Sequence, residues 1–237
     1  MIFLPRSSGK KLLEDSIMNE IRRWILPLRE IALLLSLLIL TVGCATPVRP
    51  AFKVNESLPI GSVQGDSFVG ERYPFKIRIP EGWQATTRYP EFLLEQGYGL
   101  EGLKDTPFFL FNPLTKSSLQ VDFSPAKRTA RFDQEIIEAI TKMAGGSLMS
   151  DLEEEYGKNL HVQLSRVEPF QLKGVPYSAR MSARYAVRGQ PREQGWIYAF
   201  SEPYQIFIFY LTPGAALEED KKTMEQALST FEYLGTQ

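Results

Sequence analysis

Between Ser178 and Leu211, three stretches of strand length follow one another with almost nothing between them. Ala179, Met181, Ala183, Tyr185 and Val187 alternate with Ser178, Arg180, Ser182 and Arg184. A turn is expected at Gly189-Gln190-Pro191, then a strand from Gln194 to Phe200, a break at Glu202-Pro203, and a strand from Tyr204 to Leu211. Side chains alternate across a strand with period two, so the first of these has one apolar and one polar face. Connections this short cannot carry a crossover, and the three strands must pair antiparallel. The last is apolar on both faces except at Gln205, which predicts a central position covered on both sides.

The same periodicity appears upstream. Phe75, Ile77 and Ile79 alternate with Lys76 and Arg78 and stop at Pro80-Glu81-Gly82-Trp83. Thr106 to Phe111 is a short apolar run closed by Asn112-Pro113, and Leu119, Val121 and Phe123 form another alternation. Val162 to Phe170 reads as a further strand. Helical spacing places Ile136, Ile140, Met143 and Ala144 on one face, with Asp133 as N-cap. Gly145-Gly146 is expected to break that helix, and a second short one to cover Leu148 to Tyr156. A closing amphipathic helix carries Leu217, Met224, Ala227, Leu228, Phe231 and Leu234 as one stripe. Strands first, with helices inserted and appended, predict an α+β fold, an antiparallel sheet flanked by helices.

The strand and turn from Phe75 to Trp83, Phe-x-Ile-x-Ile-x-x-x-Trp with Pro80-Glu81-Gly82 at the turn, precede a mid-chain helix. Aromatic strands from Trp196 to Tyr210 and a closing helix ending Ser229-Thr230-Phe231 follow. Together these resemble the PsbP/Mog superfamily over about residues 70–235. That group includes an extrinsic photosystem II protein, a Ran-binding import factor and many bacterial envelope proteins. The resemblance implies an α/β/α sandwich. It implies no particular activity, because its members differ in function and share structural residues. Trp83 is expected to anchor the core at the end of its strand.

The amino-terminal region reads as an address. Ile31 to Val42 holds twelve residues with only Ser36 and Thr41 polar. Twelve is too short to cross roughly 30 Å of hydrocarbon and fits the apolar part of a secretory signal. Leu40-Thr41-Val42-Gly43-Cys44 resembles the lipobox of bacterial lipoproteins, with the usual leucine displaced by one position. The resemblance implies cleavage behind Gly43 and lipidation of Cys44. A signal starting at Met18 would have 26 residues, within the usual range, and Met18 is the expected start. Residues 1–43 are then a signal peptide and 44–70 a lipidated N-terminus with a flexible tether of roughly 25–30 Å root-mean-square reach. Residues 71–237 form the folded domain. The mature chain carries 21 basic against 24 acidic side chains, net −3 over 194 residues. That balance exerts no bulk attraction on anionic lipid or nucleic acid, so attachment must be covalent.

Little in the chain announces chemistry. One cysteine excludes an internal disulfide and a Cys-cluster metal site, and one histidine, His161, would have to carry any His-dependent mechanism. No Gly-x-Ser-x-Gly elbow accompanies it. Asp151, Glu153, Glu154 and Glu155 lie in a helical pattern, which reads as a solvated face and not a calcium loop. Phosphate loops, zinc spacings and nucleic-acid modules are absent, so no cofactor, metal or nucleic acid is expected. Arg180, Arg184 and Arg188 form a candidate partner-binding face, spaced roughly 13 Å apart along one strand. A covering helix bearing Glu153–Glu155 could equally neutralise them. Trp196, Tyr198, Phe200, Tyr204, Phe207, Phe209 and Tyr210 are expected in the core, and would line a pocket only where helix cover is incomplete.

The expected protein is a non-catalytic, lipid-anchored envelope protein that binds another protein or assembly. The alternative is a carrier for a small apolar or lipidic ligand. Ala45 after the cysteine, in place of aspartate, resembles the outer-membrane sorting pattern and implies a domain facing the periplasm.

Overall fold

A computed structural model describes residues 52–95, 108–126, 132–214 and 217–235. The chain divides into a segment Met1–Pro50 and a unit Ala51–Gln237. The expected signal peptide, Met18 and Cys44 therefore lie outside the described residues. In order, the unit contains β1 (Gly61–Gln64), β2 (Ser67–Gly70), β3 (Phe75–Arg78), β4 (Gln84–Thr86), α1 (Glu91–Leu94), β5 (Phe108–Phe111) and β6 (Ser118–Pro125). After these come α2 (Gln134–Tyr156), β7 (Gln163–Leu164), β8 (Glu168–Pro169), β9 (Tyr177–Val187), β10 (Gln190–Ser201), β11 (Tyr204–Pro213), α3 (Leu217–Ser229) and β12 (Glu232–Tyr233).

The three consecutive strands are antiparallel, and β11 lies between β6 and β10 inside a sheet ordered β4-β5-β6-β11-β10-β9-β7, with β8 also on β9. The fold is α+β, as the alternation predicts. The β9–β10 turn is tighter than expected: Val187 pairs with Gln190 around Arg188-Gly189, both at positive φ. Two left-handed residues match the right-handed twist of the strands, so the ladder already resumes at Gln190 and Pro191 sits in the strand.

Each face of this sheet has its own cover. Ile206, Ile208 and Tyr210 of β11 share a face with Leu119, Val121, Phe108 and Leu110 and enter the main core. There they meet α3 through Met224, Ala227 and Leu228, and a second sheet ordered β1-β2-β3-β12. Phe75 is the centre of that core, with the rings of Phe68, Phe108, Phe123 and Phe231 at centroid distances of 5.6, 5.5, 5.1 and 5.8 Å. Trp83 is buried in the same cluster. The opposite face lies under α2, where Met181, Ala183 and Trp196 pack with Ala144 and Leu148.

Four expectations give way to tertiary contacts. Residues 61–70, read as tether, form the β1–β2 hairpin and pair onto β3. A two-residue Gly65-Asp66 turn closes it, and Ile60 and Phe68 are buried. The folded unit thus begins near residue 51 and not 71. Second, α2 runs unbroken through Gly145-Gly146 from its N-cap Asp133, whose carboxylate accepts from the Ile136 amide at 2.9 Å. Each glycine disfavours a helix by about 1 kcal/mol, but contact with the sheet outweighs this. A Cβ at Gly145 would stand 3.2 Å from Met181, and the Trp196 indole donates to the Thr141 carbonyl at 2.9 Å. Gly145 therefore lets the helix backbone approach the sheet, while a Cβ at Gly146 would meet open space. Third, Val162–Phe170 is two separate two-residue strands, both on β9. Fourth, the closing helix ends at Ser229; Phe231 enters the core from an extended segment and Leu234 is exposed.

Candidate functional site

The arginine row sits where two elements meet. Arg184 of β9 is the register partner of Glu193 of β10, so both project to the side occupied by α3. Glu218, Lys221 and Glu225 recur at three and four residues along α3, on one helical face. Arg180 donates to Glu225 at 2.8 Å, pairs with Glu168, and lies 4.9 Å from the Phe170 ring centre. Arg184 pairs with Glu193 and reaches Glu218 at 3.3 Å, and the Lys221 ammonium stands 2.8 Å from Glu193. Glu193 itself is 0 % exposed. Next to Lys221 in α3, buried Asp220 accepts from the Ser117 hydroxyl at 2.6 Å and from Asn112 at 3.2 Å.

Burial works against the charge on Arg180, but the Glu168 hydrogen bond and the Glu225 carboxylate outweigh it and hold the guanidinium above its ordinary pKa. Arg184 is held up in the same direction, first by its hydrogen bond to Glu193. Under this strip the Tyr210 ring occupies the space a Cβ at its register partner Gly195 would fill. Burial then pushes the Tyr210 hydroxyl far up, with Glu193 and Glu225 adding to the shift. These groups neutralise one another and fasten α3 to the sheet.

Arg180 and Arg184 are thus engaged within the fold, and their acids come from α3, β8 and β10, not from Glu153–Glu155. Arg188 occupies the exposed hairpin tip, where no ion pair reaches it among the described residues. Asp151, Glu153, Glu154 and Glu155 are exposed on the last turns of α2, and His161 is exposed beyond it. Among the described residues no group of three or more His, Cys, Asp or Glu side chains could hold a metal ion.

The aromatic residues divide between the two sheet faces. Tyr204 and Tyr210 are buried in the main core, and Trp196 lies under α2. Tyr198, Phe207 and Phe209 remain half-buried, with Tyr198 and Phe207 in ring contact at 4.7 Å.

Two surface grooves complete the geometry. The first, about 560 Å³, runs between Asp66, Arg78 and Glu81 and the end of α3 at Gln226 and Ser229, with Thr230 just beyond it. Arg78 pairs with Asp66 at 2.8 Å, and its amide donates to the Thr230 hydroxyl at 2.9 Å. The Ser67 hydroxyl, followed by Arg78, holds the Asp66 carboxyl below its ordinary value.

The second groove, about 500 Å³, is lined by Phe52, Leu58, Arg72, Pro74, Tyr204 and Leu234 together with Gly70 and Glu71. Arg72 donates to the carbonyls of Leu58 at 2.8 Å and Glu56 at 2.9 Å, which holds the incoming chain against the small sheet. The Phe52 ring meets Tyr204 edge-on at 5.1 Å. Sequence reading missed this groove because its residues come from both ends of the folded unit. The Gly65-Asp66 pair between Val63 and Phe68 was the available signal that residues below 71 fold.

Burial beside Tyr233 and Tyr73 pushes the Tyr204 hydroxyl from its ordinary 10.0 up to about 12. The folded chain then holds this proton more tightly than the unfolded chain does. The associated stability is complete below pH 10 and disappears as pH rises through about 12. Thermal melts at about pH 9 and pH 11 are expected to diverge less in Tyr204→Phe than in the unsubstituted protein. Equal divergence would remove Tyr204 as a source of alkaline instability.

No helix among the described residues is long and apolar enough to cross a membrane. No family model and no curated protein matches the chain. Among solved structures it is similar to cyanobacterial PsbP from Synechocystis sp. PCC 6803, at 13% identity and TM-score 0.46, covering 74% of this chain and 99% of that one. It is also similar to LpqN, involved in cell envelope biogenesis of Mycobacterium tuberculosis, at 12% identity and TM-score 0.40, covering 68% and 84%. The Saccharomyces cerevisiae Ran-binding protein Mog1p matches at 12% identity and TM-score 0.38, covering 68% and 90%. These likenesses concern the fold; no function passes through them.

Proposed function

We propose that this chain is a non-catalytic protein of the bacterial cell envelope, anchored through lipid on Cys44, whose domain binds another protein or assembly. The observation that carries the binding reading is the destination of the domain's clustered charge. Arg180, Arg184, Lys221, Glu193, Glu218 and Glu225 are paired with one another across β9, β10 and α3. An active site needs ionisable groups converging on a space that substrate can occupy, whereas these converge on each other. Of the arginine row, Arg188 is exposed at the tip of the β9–β10 hairpin, which supports the reading that it meets a partner. The lipobox-like Leu40–Cys44 segment supports the anchor, and Ala45 supports an outer-membrane location facing the periplasm.

An alkyne-tagged palmitate fed to cells is expected to label the protein and to be lost in Cys44→Ser, which should leave the membrane fraction. A photocrosslinking residue at position 188 is expected to return one recurring envelope protein. Label persisting in Cys44→Ser would end the anchor reading, and crosslinks no richer than from Leu114 would end the binding reading.

A second reading, a carrier for an apolar or lipidic ligand, draws on half-buried Tyr198, Phe207 and Phe209 and on grooves of about 500 and 560 Å³. Those volumes lie in the range of small-molecule sites. Mass spectrometry of gently extracted protein that finds no lipid beyond the Cys44 modification would remove it.

A further inference from the structure

We infer that the groove bounded by Phe52, Leu58, Tyr204 and Leu234 is the face with which the domain rests on the lipid surface. This deepens the anchor reading and depends on acylation of Cys44.

Chain length is the first argument. Because Val54 packs on the core, Arg72 holds the carbonyls of Glu56 and Leu58, and residues 61–70 are paired, the reach from anchor to domain is bounded by the eight steps between Cys44 and Phe52. Eight residues span at most about 26–29 Å. A tether continuing to Gly70 would allow three times that reach. Phe52 lies against Tyr204, at the end of β11 where the groove opens. The other end of β11, Pro213, pairs with Arg192 of β10, just beyond Leu211, whose partner Ser118 adjoins the Asn112–Ser117 turn. Nine steps of strand separate the two ends by roughly 30 Å, more than the eight tether residues can span. The groove end is therefore the end of the sheet held nearest the bilayer. A partner domain of 100 residues, with a radius of gyration of about 13 Å, is wider than the gap left there.

Surface chemistry is the second argument. Phe52, Leu58 and Leu234 are 41, 40 and 44 % exposed, and they border one groove. Aromatic and aliphatic side chains in this arrangement suit the boundary between headgroups and acyl chains. The two charged residues that line the groove, Glu71 and Arg72, are of opposite sign. Contact with lipid should therefore be apolar and indifferent to the charge of the headgroups. It need not be strong, because a short tether raises the local concentration of one surface at another to the millimolar range.

The test uses the acylated mature chain on phosphatidylcholine vesicles, with and without phosphatidylglycerol. Acylation consumes the native cysteine, so Leu58→Cys, Leu234→Cys and, at the opposite end, 91 % exposed Leu114→Cys each give one spin-labelling site. All three positions are at the surface, which keeps the fold intact. Power saturation should show the ratio of oxygen to nickel-chelate collisions rising several-fold at positions 58 and 234, equally on both lipids, with position 114 unchanged. Labels at 58 and 234 as wet as at 114 would overturn the inference. So would shielding confined to native membranes and absent from vesicles, which would assign the groove to a protein. The mass of the Cys44 fragment is measured on the same sample. An unmodified Cys44 would end the anchor reading and this inference together, whereas an acylated Cys44 with wet labels would end the inference alone.

Discussion

Alanine at Phe75 is expected to destabilise the domain by about 3–5 kcal/mol, the largest effect of any single substitution considered. Phe75 is fully buried, and its ring touches those of Phe68, Phe108, Phe123 and Phe231. These neighbours come from β2, β5, β6 and the segment after α3, so the vacated space is bounded by two sheets. Neither sheet can shift to fill it without breaking its own hydrogen-bonded register, and the cavity should stay open. Against a total stability of about 5–15 kcal/mol, the loss would leave a substantial unfolded population at physiological temperature. Urea unfolding followed by tryptophan fluorescence measures it. Phe75→Leu, which keeps most of the volume, should lose less than half as much. Equal losses for the two variants would show that ring contacts are not the source.

The second large effect concerns the strip beneath α3. Removing Lys221 alone leaves Glu193 its bond to Arg184, and a loss of about 1 kcal/mol is expected. Removing Arg184 and Lys221 together leaves a fully buried carboxylate with no cation, and the loss should reach about 3–5 kcal/mol. The effect exceeds the sum of the single losses because each cation compensates the same buried charge. Adding Glu193→Gln to the double variant should recover part of the stability by removing that charge. A double-variant cycle by urea unfolding decides the matter. Strictly additive losses, or no recovery when Glu193→Gln is added, would show that Glu193 does not depend on these partners.

Much of the large sheet was legible before any coordinates. The alternation from Ser178 to Val187 and the two-sided apolar run from Tyr204 to Leu211 depend on local side-chain order, and β9, β10 and β11 follow it. The same local logic erred wherever a distant element supplied the deciding contact. Gly145-Gly146 carries a real helix-breaking tendency, offset in α2 by Met181 and Trp196 from strands far along the chain. Phe231 and Leu234 keep helical spacing with Met224 and Leu228, yet Phe231 is claimed by Phe75 and Tyr233 pairs with β3. Arg180 and Arg184 were correctly placed on one strand face, but their acids lie on α3, β8 and β10. The groove around Phe52 joins residues almost two hundred positions apart, and no periodicity reports that.

The sequence by itself determined the fold class, because strand alternation is a local pattern, and it alone is the source of the proposal that Cys44 carries lipid, which rests on a short apolar run before a cysteine. Tertiary structure alone decided that the arginine row holds α3, that Glu193 is buried among cations, and that the folded unit begins near residue 51. Burial and charge pairing are set by what lies across space, and only the packed chain brings those groups together.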